Sequence, residues 1–387
     1  MNTFELDQTY VAGTYRRFPV EIVSGKGSIV RDVNSKEFID MGSGIAVTSF
    51  GVADDEWIAA VEKQLHAVQH MSNLYYTAPC ARLAELLCLK TGMSRVFFSN
   101  SGAEANECAI KVARKWAAEH KGPACSTIVT LQNSFHGRTL TTLAATGQDH
   151  FHELFQPLTP GFAHIAPGDL GALEALCAQD TVAAVLIECV QGEGGVIPLD
   201  PAFASALQDF CRKKDILLMV DEVQTGNGRT GTMYAYMQYG LTPDVVSTAK
   251  GLAGGLPRGA TLMSEKVSTV LSLGDHGSTF GGNPVAAAGA ISVVERLTDD
   301  FLAQVSEKAA ALRARLEGAP GIESVTGMGL MLGLKTVRPA ADVISECMEK
   351  GVLCLSAKTK VRLLPALNIP EPILNRAADV LLSVCAG

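Results

Sequence analysis

Four stretches of the chain are apolar almost throughout: Arg95–Phe98, Thr127–Leu131, Ala183–Ile187 and Ile216–Val220. A strand with one wet face alternates apolar and polar residues. A strand covered on both faces does not, so these runs predict buried neighbours in a parallel sheet. Between them lie segments with helical spacing of apolar residues, over Ala103–Trp116 and Ala202–Lys213. Strands alternating with helices predict an open α/β fold, a mostly parallel central sheet with helices on both sides. The start of the chain reads as an arm followed by short strands, Val20–Val23 and Ser28–Val33. Its last part changes character, with a long helix after Pro284 and short strands near Leu330 and Val361. That pattern predicts a smaller α+β domain built from the C-terminus and the N-terminal arm. The expected division is an arm and part of the small domain over 1–48, a large domain over 49–284, and the C-terminal domain over 285–387.

In open α/β sheets, ligands bind beyond the carboxyl ends of the strands. The run Ile216–Val220 ends in Asp221-Glu222-Val223-Gln224, and Val245–Ala249 ends in Lys250 before the small residues of Gly251-Leu252-Ala253-Gly254-Gly255. A carboxylate and an amine at neighbouring strand ends are what pyridoxal phosphate requires. The acid keeps the pyridine nitrogen protonated, so the ring draws electrons. The lysine forms an imine once deprotonated, and burial lowers its pKa from the usual ~10.4. Gln224, one turn beyond Asp221, is placed to reach the ring hydroxyl. Each residue also has a plainer reading, a turn-capping aspartate or a surface lysine.

The strand ending at Phe98 is followed by Ser99–Asn106, where Ser101, Gly102 and Ala103 open a helix. Free N–H groups and the helix dipole there suit a phosphate, although a Ser cap with Glu in the first turn is equally regular. After Leu131 come Phe135-His136-Gly137-Arg138. An aromatic side chain at that point is able to stack on a ring, and Arg138 to grip a carboxylate with two prongs. An exposed turn is the alternative. Gly226-Asn227-Gly228-Arg229-Thr230-Gly231 matches a dinucleotide fingerprint but not its context. Asp221–Thr225 separate it from the strand, and a lysine stands where an acid belongs.

Composition narrows the classes further. The 387 residues carry a net charge of −8, with 47% hydrophobic and 19% charged residues. This is the balance of a core-rich enzyme, and it offers no basic stripe for nucleic acid. None of the 10 cysteines falls in a C-x-x-C pair, so buried thiols in a reducing cytoplasm are expected rather than disulfides or zinc. The histidines lack metal-ligand spacing. The start shows no basic and apolar leader pattern. The longest uncharged run, between Asp275 and Glu295, is broken by Gly281, Gly282 and Pro284 and does not read as a membrane span.

Taken in order, Ser101-Gly102-Ala103-Glu104-Ala105, Phe135–Thr139, Asp221–Gly226, Lys250 and Gly277–Pro284 resemble the motifs of the class III (ω-type) aminotransferases. The likeness runs from Gly13-Thr14-Tyr15 to Arg362–Ile369, nearly the whole chain. It implies a fold-type I enzyme with pyridoxal 5′-phosphate, and a cytoplasmic homodimer with shared sites. Lys250 would carry the cofactor, Asp221 would hold its ring nitrogen and Gln224 its ring oxygen. Ser101, Gly102 and Ala103 would bind the phosphate, Phe135 would stack on the ring, and Thr279 would reach the phosphate in the neighbouring subunit. Arg138, Ser278 and Tyr15 would contact an amino donor. Glu193 would pair with Arg362 and swing aside to admit the 2-oxo acid acceptor.

The compact length and the Phe135–Arg138 loop are most similar to family members that use N-acetylornithine and 2-oxoglutarate, in arginine biosynthesis. Ornithine, N-succinyl-diaminopimelate and 4-aminobutyrate are the alternative donors. One departure is visible. Many relatives carry Gly-His-x-His-Pro after the early Ser-Gly-Ile segment, whereas here Ser43-Gly44-Ile45 is followed by Phe50-Gly51-Val52-Ala53-Asp54-Asp55.

Overall fold

A computed structural model describes residues 1–387. Its centre is a seven-stranded sheet in the order Arg95–Ser99, Gly259–Met263, Val245–Thr248, Leu217–Asp221, Val182–Ile187, Thr127–Leu131, Phe162–Ile165. Only Gly259–Met263 runs antiparallel to its neighbours. The uninterrupted apolar runs are strands covered on both faces, as expected. In Leu217–Asp221, Leu217 and Met219 join the core under the helix Gly102–Lys121, while Leu218 and Val220 join the core on the other face. Successive side chains of a strand point to opposite faces, so both sets must be apolar when both faces are covered.

A second unit is built from both ends of the chain. Ile22–Lys26, Ile29–Asp32 and Glu37–Asp40 form a sheet completed by Val352–Leu353, which runs parallel to Glu37–Asp40. A further sheet holds Ile322–Met328, Met331–Thr336, Lys360–Leu363 and Leu355–Ala357. Its core includes Ile39 and Met41 from the start together with Leu334, Val361 and Leu381 from the end. The first helix, Thr3–Tyr10, buries none of its residues. No helix is long and apolar enough to cross a membrane.

One expectation is corrected. The long helix after Pro284 is two helices, Pro284–Arg296 and Asp299–Leu316. Thr298 caps the second by accepting from the Phe301 amide, with Asp299 and Asp300 in its first turn. The first helix lies against Asp55–Ala67 and Ala78–Thr91, and its Ala287, Ala290, Val293 and Val294 belong to the core of the large unit.

The glycine-rich Gly226–Gly231 loop joins the units. Arg229 is buried and donates from Nη1 to the carbonyls of Leu330 (3.0 Å) and Pro365 (2.5 Å), while its own carbonyl accepts from the Leu330 amide. Burial pushes its guanidinium down to about 9. We predict that Arg229→Met, which leaves two buried carbonyls without a donor, costs ~2–4 kcal/mol in urea unfolding. A loss within ~0.5 kcal/mol would remove Arg229 from this joining role.

Candidate active site

Of the residues singled out from the sequence, Ser101, Gly102, Ala103, Phe135, Arg138, Asp221, Gln224 and Lys250 meet beyond the carboxyl ends of the parallel strands. Asp221 ends its strand directly opposite Ser247 of the next. Both are two residues beyond positions (Met219 and Val245) that face the helix Gly102–Lys121, so both point toward that helix. Past Thr248 the chain turns sharply at Lys250, whose φ of 44° lies in the left-handed region that side chains other than glycine seldom adopt. Asn227 holds the turn, donating from Nδ2 to Thr248 Oγ1 (3.0 Å) and to the Ala249 carbonyl (3.1 Å). Strain of this kind is kept only where surrounding contacts over-determine it.

These ends enclose a cavity of about 450 Å³. Asp221 and Lys250 face into it, with Phe135 and Val223 on its walls and Ser101, Gly102 and Ala103 at one end. Gly102 is required by packing, because a Cβ there would lie 2.6 Å from Val223 Cγ1. Ser101 caps the helix by accepting from the Glu104 amide at 3.2 Å, which leaves the next N–H groups at the cavity. Burial pushes the Lys250 ammonium down to about 8, with Glu193 opposing the shift.

The chemistry of this donor set fits pyridoxal phosphate. A helix N-terminus suits its phosphate, apolar walls suit its ring, an acid suits its nitrogen, and an easily deprotonated amine suits its aldehyde.

Glu193 and Arg362 form the expected pair. Arg362, buried on Lys360–Leu363, donates from Nη1 to Glu193 Oε1 at 2.5 Å and to Gln224 Oε1 at 3.0 Å. Gln224 Nε2 donates to Glu193 Oε1 at 3.3 Å, so the Gln224 amide is engaged at the rim of the cavity that it also lines. Burial raises the Glu193 carboxyl, but Arg362 and Lys250 outweigh it, and the group titrates below its usual range.

Arg138 is exposed at the mouth. Its guanidinium carbon lies 5.2 Å from the centre of the Phe151 ring and 5.9 Å from that of Phe135. Ser278 Oγ accepts from Asn100 Nδ2 (3.2 Å) and the Gly281 amide (3.0 Å), beside the helix start. Thr279 and Tyr15 are exposed and do not line this chain's cavity.

Sequence reasoning missed two buried groups. Asn106 donates to Asp221 Oδ2 at 2.7 Å. Glu188 accepts the Phe135 amide (3.0 Å) and the Gly192 amide (3.3 Å), tying the aromatic wall to the Glu193 loop. Burial, reinforced by nearby Asp221, pushes its carboxyl well above the usual range. Glu188 had a readable signal, since it follows the strand Val182–Ile187 as Asp221 follows its own.

Comparison with known proteins gives concordant results. The sequence profile of aminotransferase class-III matches residues 10–384. The chain is 51% identical over 382 residues to the acetylornithine aminotransferase of Haemophilus ducreyi, covering 98% of this chain and 97% of that one. Among solved structures it is similar to the ornithine aminotransferase of Toxoplasma gondii, with a TM-score of 0.94 and 32% identity over 99% of this chain and 94% of that one. It is also similar to the N-acetylornithine aminotransferase of Stenotrophomonas maltophilia, with a TM-score of 0.85 and 35% identity over 99% of this chain and 98% of that one.

The lowered Lys250 pKa makes stability depend on pH. Between about 8 and the unfolded value of ~10.4 the unfolded chain binds more protons, so stability rises with pH across that window. Below it, the cost of burying the ammonium is fully present. In cofactor-free protein, the stability advantage of Lys250→Met over the parent should shrink by up to ~3 kcal/mol from pH 7 to 10. A difference in urea unfolding that stays level with pH would contradict the shift.

Proposed function

The chain belongs to the class III aminotransferases, and from that premise we propose that it moves the terminal amino group of N-acetylornithine to 2-oxoglutarate. The products are N-acetylglutamate semialdehyde and glutamate, a step of arginine biosynthesis. The observation that carries this reading is the set of groups around one cavity: Asp221 and Lys250 inside it, and the Glu193–Arg362 pair bonded to Gln224 of its lining. The relatives at high identity, among them the Haemophilus ducreyi acetylornithine aminotransferase, support the donor.

Bound pyridoxal 5′-phosphate supplies an aldehyde that condenses with amines and a ring that accepts electrons from the substrate carbon. With its pKa near 8, Lys250 is neutral in about one molecule in ten at pH 7. An amine of that kind would hold the cofactor's aldehyde and, when free, would carry a proton between neighbouring substrate atoms. Asp221 would keep the ring nitrogen protonated. Ser101, Gly102 and Ala103 would hold the phosphate, Phe135 and Val223 would flank the ring, and Gln224 would reach the ring oxygen. Arg138, near the Phe135 and Phe151 rings, would receive the donor's α-carboxylate, the resemblance adding Ser278 and Tyr15 as further substrate contacts.

In the second half-reaction Glu193 swings aside and Arg362 takes a carboxylate of the dicarboxylic acceptor. Thr279, exposed in one chain, would reach the phosphate of the partner's cofactor, which makes the working unit a homodimer; a cytoplasmic location belongs to the same reading. The same reading divides the chain into 1–48, 49–284 and 285–387, with the helix Pro284–Arg296 as a joint resting on the large unit.

Ornithine is the alternative donor that the similarity to the Toxoplasma gondii ornithine aminotransferase favours. A panel of N-acetylornithine, ornithine, N-succinyl-diaminopimelate and 4-aminobutyrate with 2-oxoglutarate separates them. We expect the highest kcat/KM for N-acetylornithine, and a lead by any other donor would overturn the assignment. Glu193→Ala should let glutamate compete at least ~10-fold better as donor, since losing a charge-assisted contact shifts discrimination by ~1.5–3 kcal/mol. An unchanged donor ratio would remove Glu193 from the gate.

A further inference from the structure

Asp221 is held by a buried polar network that begins on another element. Its Oδ2 accepts from Asn106 Nδ2 at 2.7 Å and faces His136 Nδ1 at 2.8 Å, while its Oδ1 accepts only the Val223 amide, at 2.9 Å. Asn106 also donates to the His136 carbonyl (2.8 Å), and its Oδ1 accepts the Ser247 hydroxyl (2.5 Å). All four side chains are buried.

The orientation of Asn106 is forced. Turned over, its oxygen would face the His136 carbonyl and the Asp221 carboxylate, two acceptors, and two hydrogen bonds would be lost, with the Ser247 hydroxyl left to accept where it now donates. His136 must carry its proton on Nδ1 to donate to the carboxylate. Asn106 is a neutral donor, so it fixes the angle of the carboxylate without cancelling its charge, and Oδ1, with the Val223 amide alone upon it, keeps lone-pair capacity.

Asn106 lies one turn beyond Gly102 in the helix whose N-terminus closes the other end of the cavity. One rigid helix thus sets both the anion site and the acid, and so the span between them.

We propose that Asn106 is a positioning residue for the reaction, locked by Ser247 and aiming the ionised Asp221 at the cofactor's ring nitrogen. The inference rests on the pyridoxal phosphate reading above. Without Asn106 the carboxylate turns away and the ring nitrogen is less often protonated. Less positive charge on the ring then favours a proton at the nitrogen joining Lys250 to the cofactor.

The test uses holoenzymes of the parent, Asn106→Ala, Asn106→Asp and Ser247→Ala, followed by the pH dependence of their near-visible absorbance, by kinetics and by thermal unfolding. For Asn106→Ala we expect the absorbance midpoint to move up by about one pH unit and kcat to fall ~10-fold or more. The donor KM should change less than about threefold. Asn106→Asp, which keeps the shape but sets a second acid against Asp221, should move the midpoint further. Ser247→Ala should move it the same way by less. A lowered melting temperature with an unmoved midpoint and unchanged kcat in the Asn106 variants would overturn the positioning role. A parent with no near-visible absorbance after incubation with pyridoxal phosphate would overturn the cofactor reading itself, and this inference with it.

Discussion

The structure is organised around a carboxyl group kept out of water at the end of a buried strand. Asp221 is among the most enclosed charged groups of the chain, and such a group is tolerated only when hydrogen bonds replace its hydration. Three donors do so, from the Asn106 amide, the His136 ring and the Val223 backbone. Each comes from a different part of the chain: a helix, the loop after Thr127–Leu131, and the turn after Asp221 itself. Assembling the acid therefore requires the sheet, its covering helix and two loops to be in place together, and a cavity that depends on it forms only in the complete fold.

Lys250 presents the opposite problem with a different solution. Its ammonium is not matched by a direct carboxylate partner. Burial lowers its pKa, and the more distant charges of Glu193, Asp221 and Glu188 pull it partly back. The result is an amine whose proton is easily lost near neutral pH, which suits a nucleophile. The left-handed turn at Lys250 brings its side chain to the cavity instead of continuing the strand direction. Asn227 and Ser49 hold that turn from the Gly226–Gly231 loop and the N-terminal segment.

Much of this was legible in the sequence because the decisive features are local. A both-faces-buried strand is an apolar run, and the residue that follows it is at the sheet's carboxyl edge by construction. Asp221, Lys250, Phe135 and the Ser101–Ala103 helix start could all be placed that way. Asn106 could not, since on a helical pattern it is one polar residue among apolar neighbours, and its partners Ser247 and Asp221 lie on two strands far along the chain. Glu188 carried the same strand-end signal as Asp221, whereas Glu193 in the Gln191–Gly195 segment was implied only by the family resemblance. The break at Leu297-Thr298 contains neither glycine nor proline, so the two helices around it read as one. Thr298 with Asp299 and Asp300 is a helix start of the usual kind, hidden by apolar spacing on either side.

On the proposed reading, the Glu193–Arg362 pair lets one site serve two kinds of substrate without rebuilding its floor. Arg362 is buried, and a guanidinium in that position needs an anion at all times. In the structure Glu193 supplies it, backed by Gln224, whose amide touches both. A substrate bearing a carboxylate at that point can replace Glu193 as the partner of Arg362, so the exchange leaves neither the arginine nor the incoming group unpaired. A donor with no carboxylate beside its reacting amine leaves the internal pair closed. Glu193 is the half-exposed member and Arg362 the enclosed one, so it is the acid that can move into water at little cost while the arginine stays. Glu188 limits how far that motion spreads, because the Gly192 amide just before Glu193 is fastened to the carboxyl that also holds the Phe135 backbone. The side chain of Glu193 can then swing while the ring wall keeps its place.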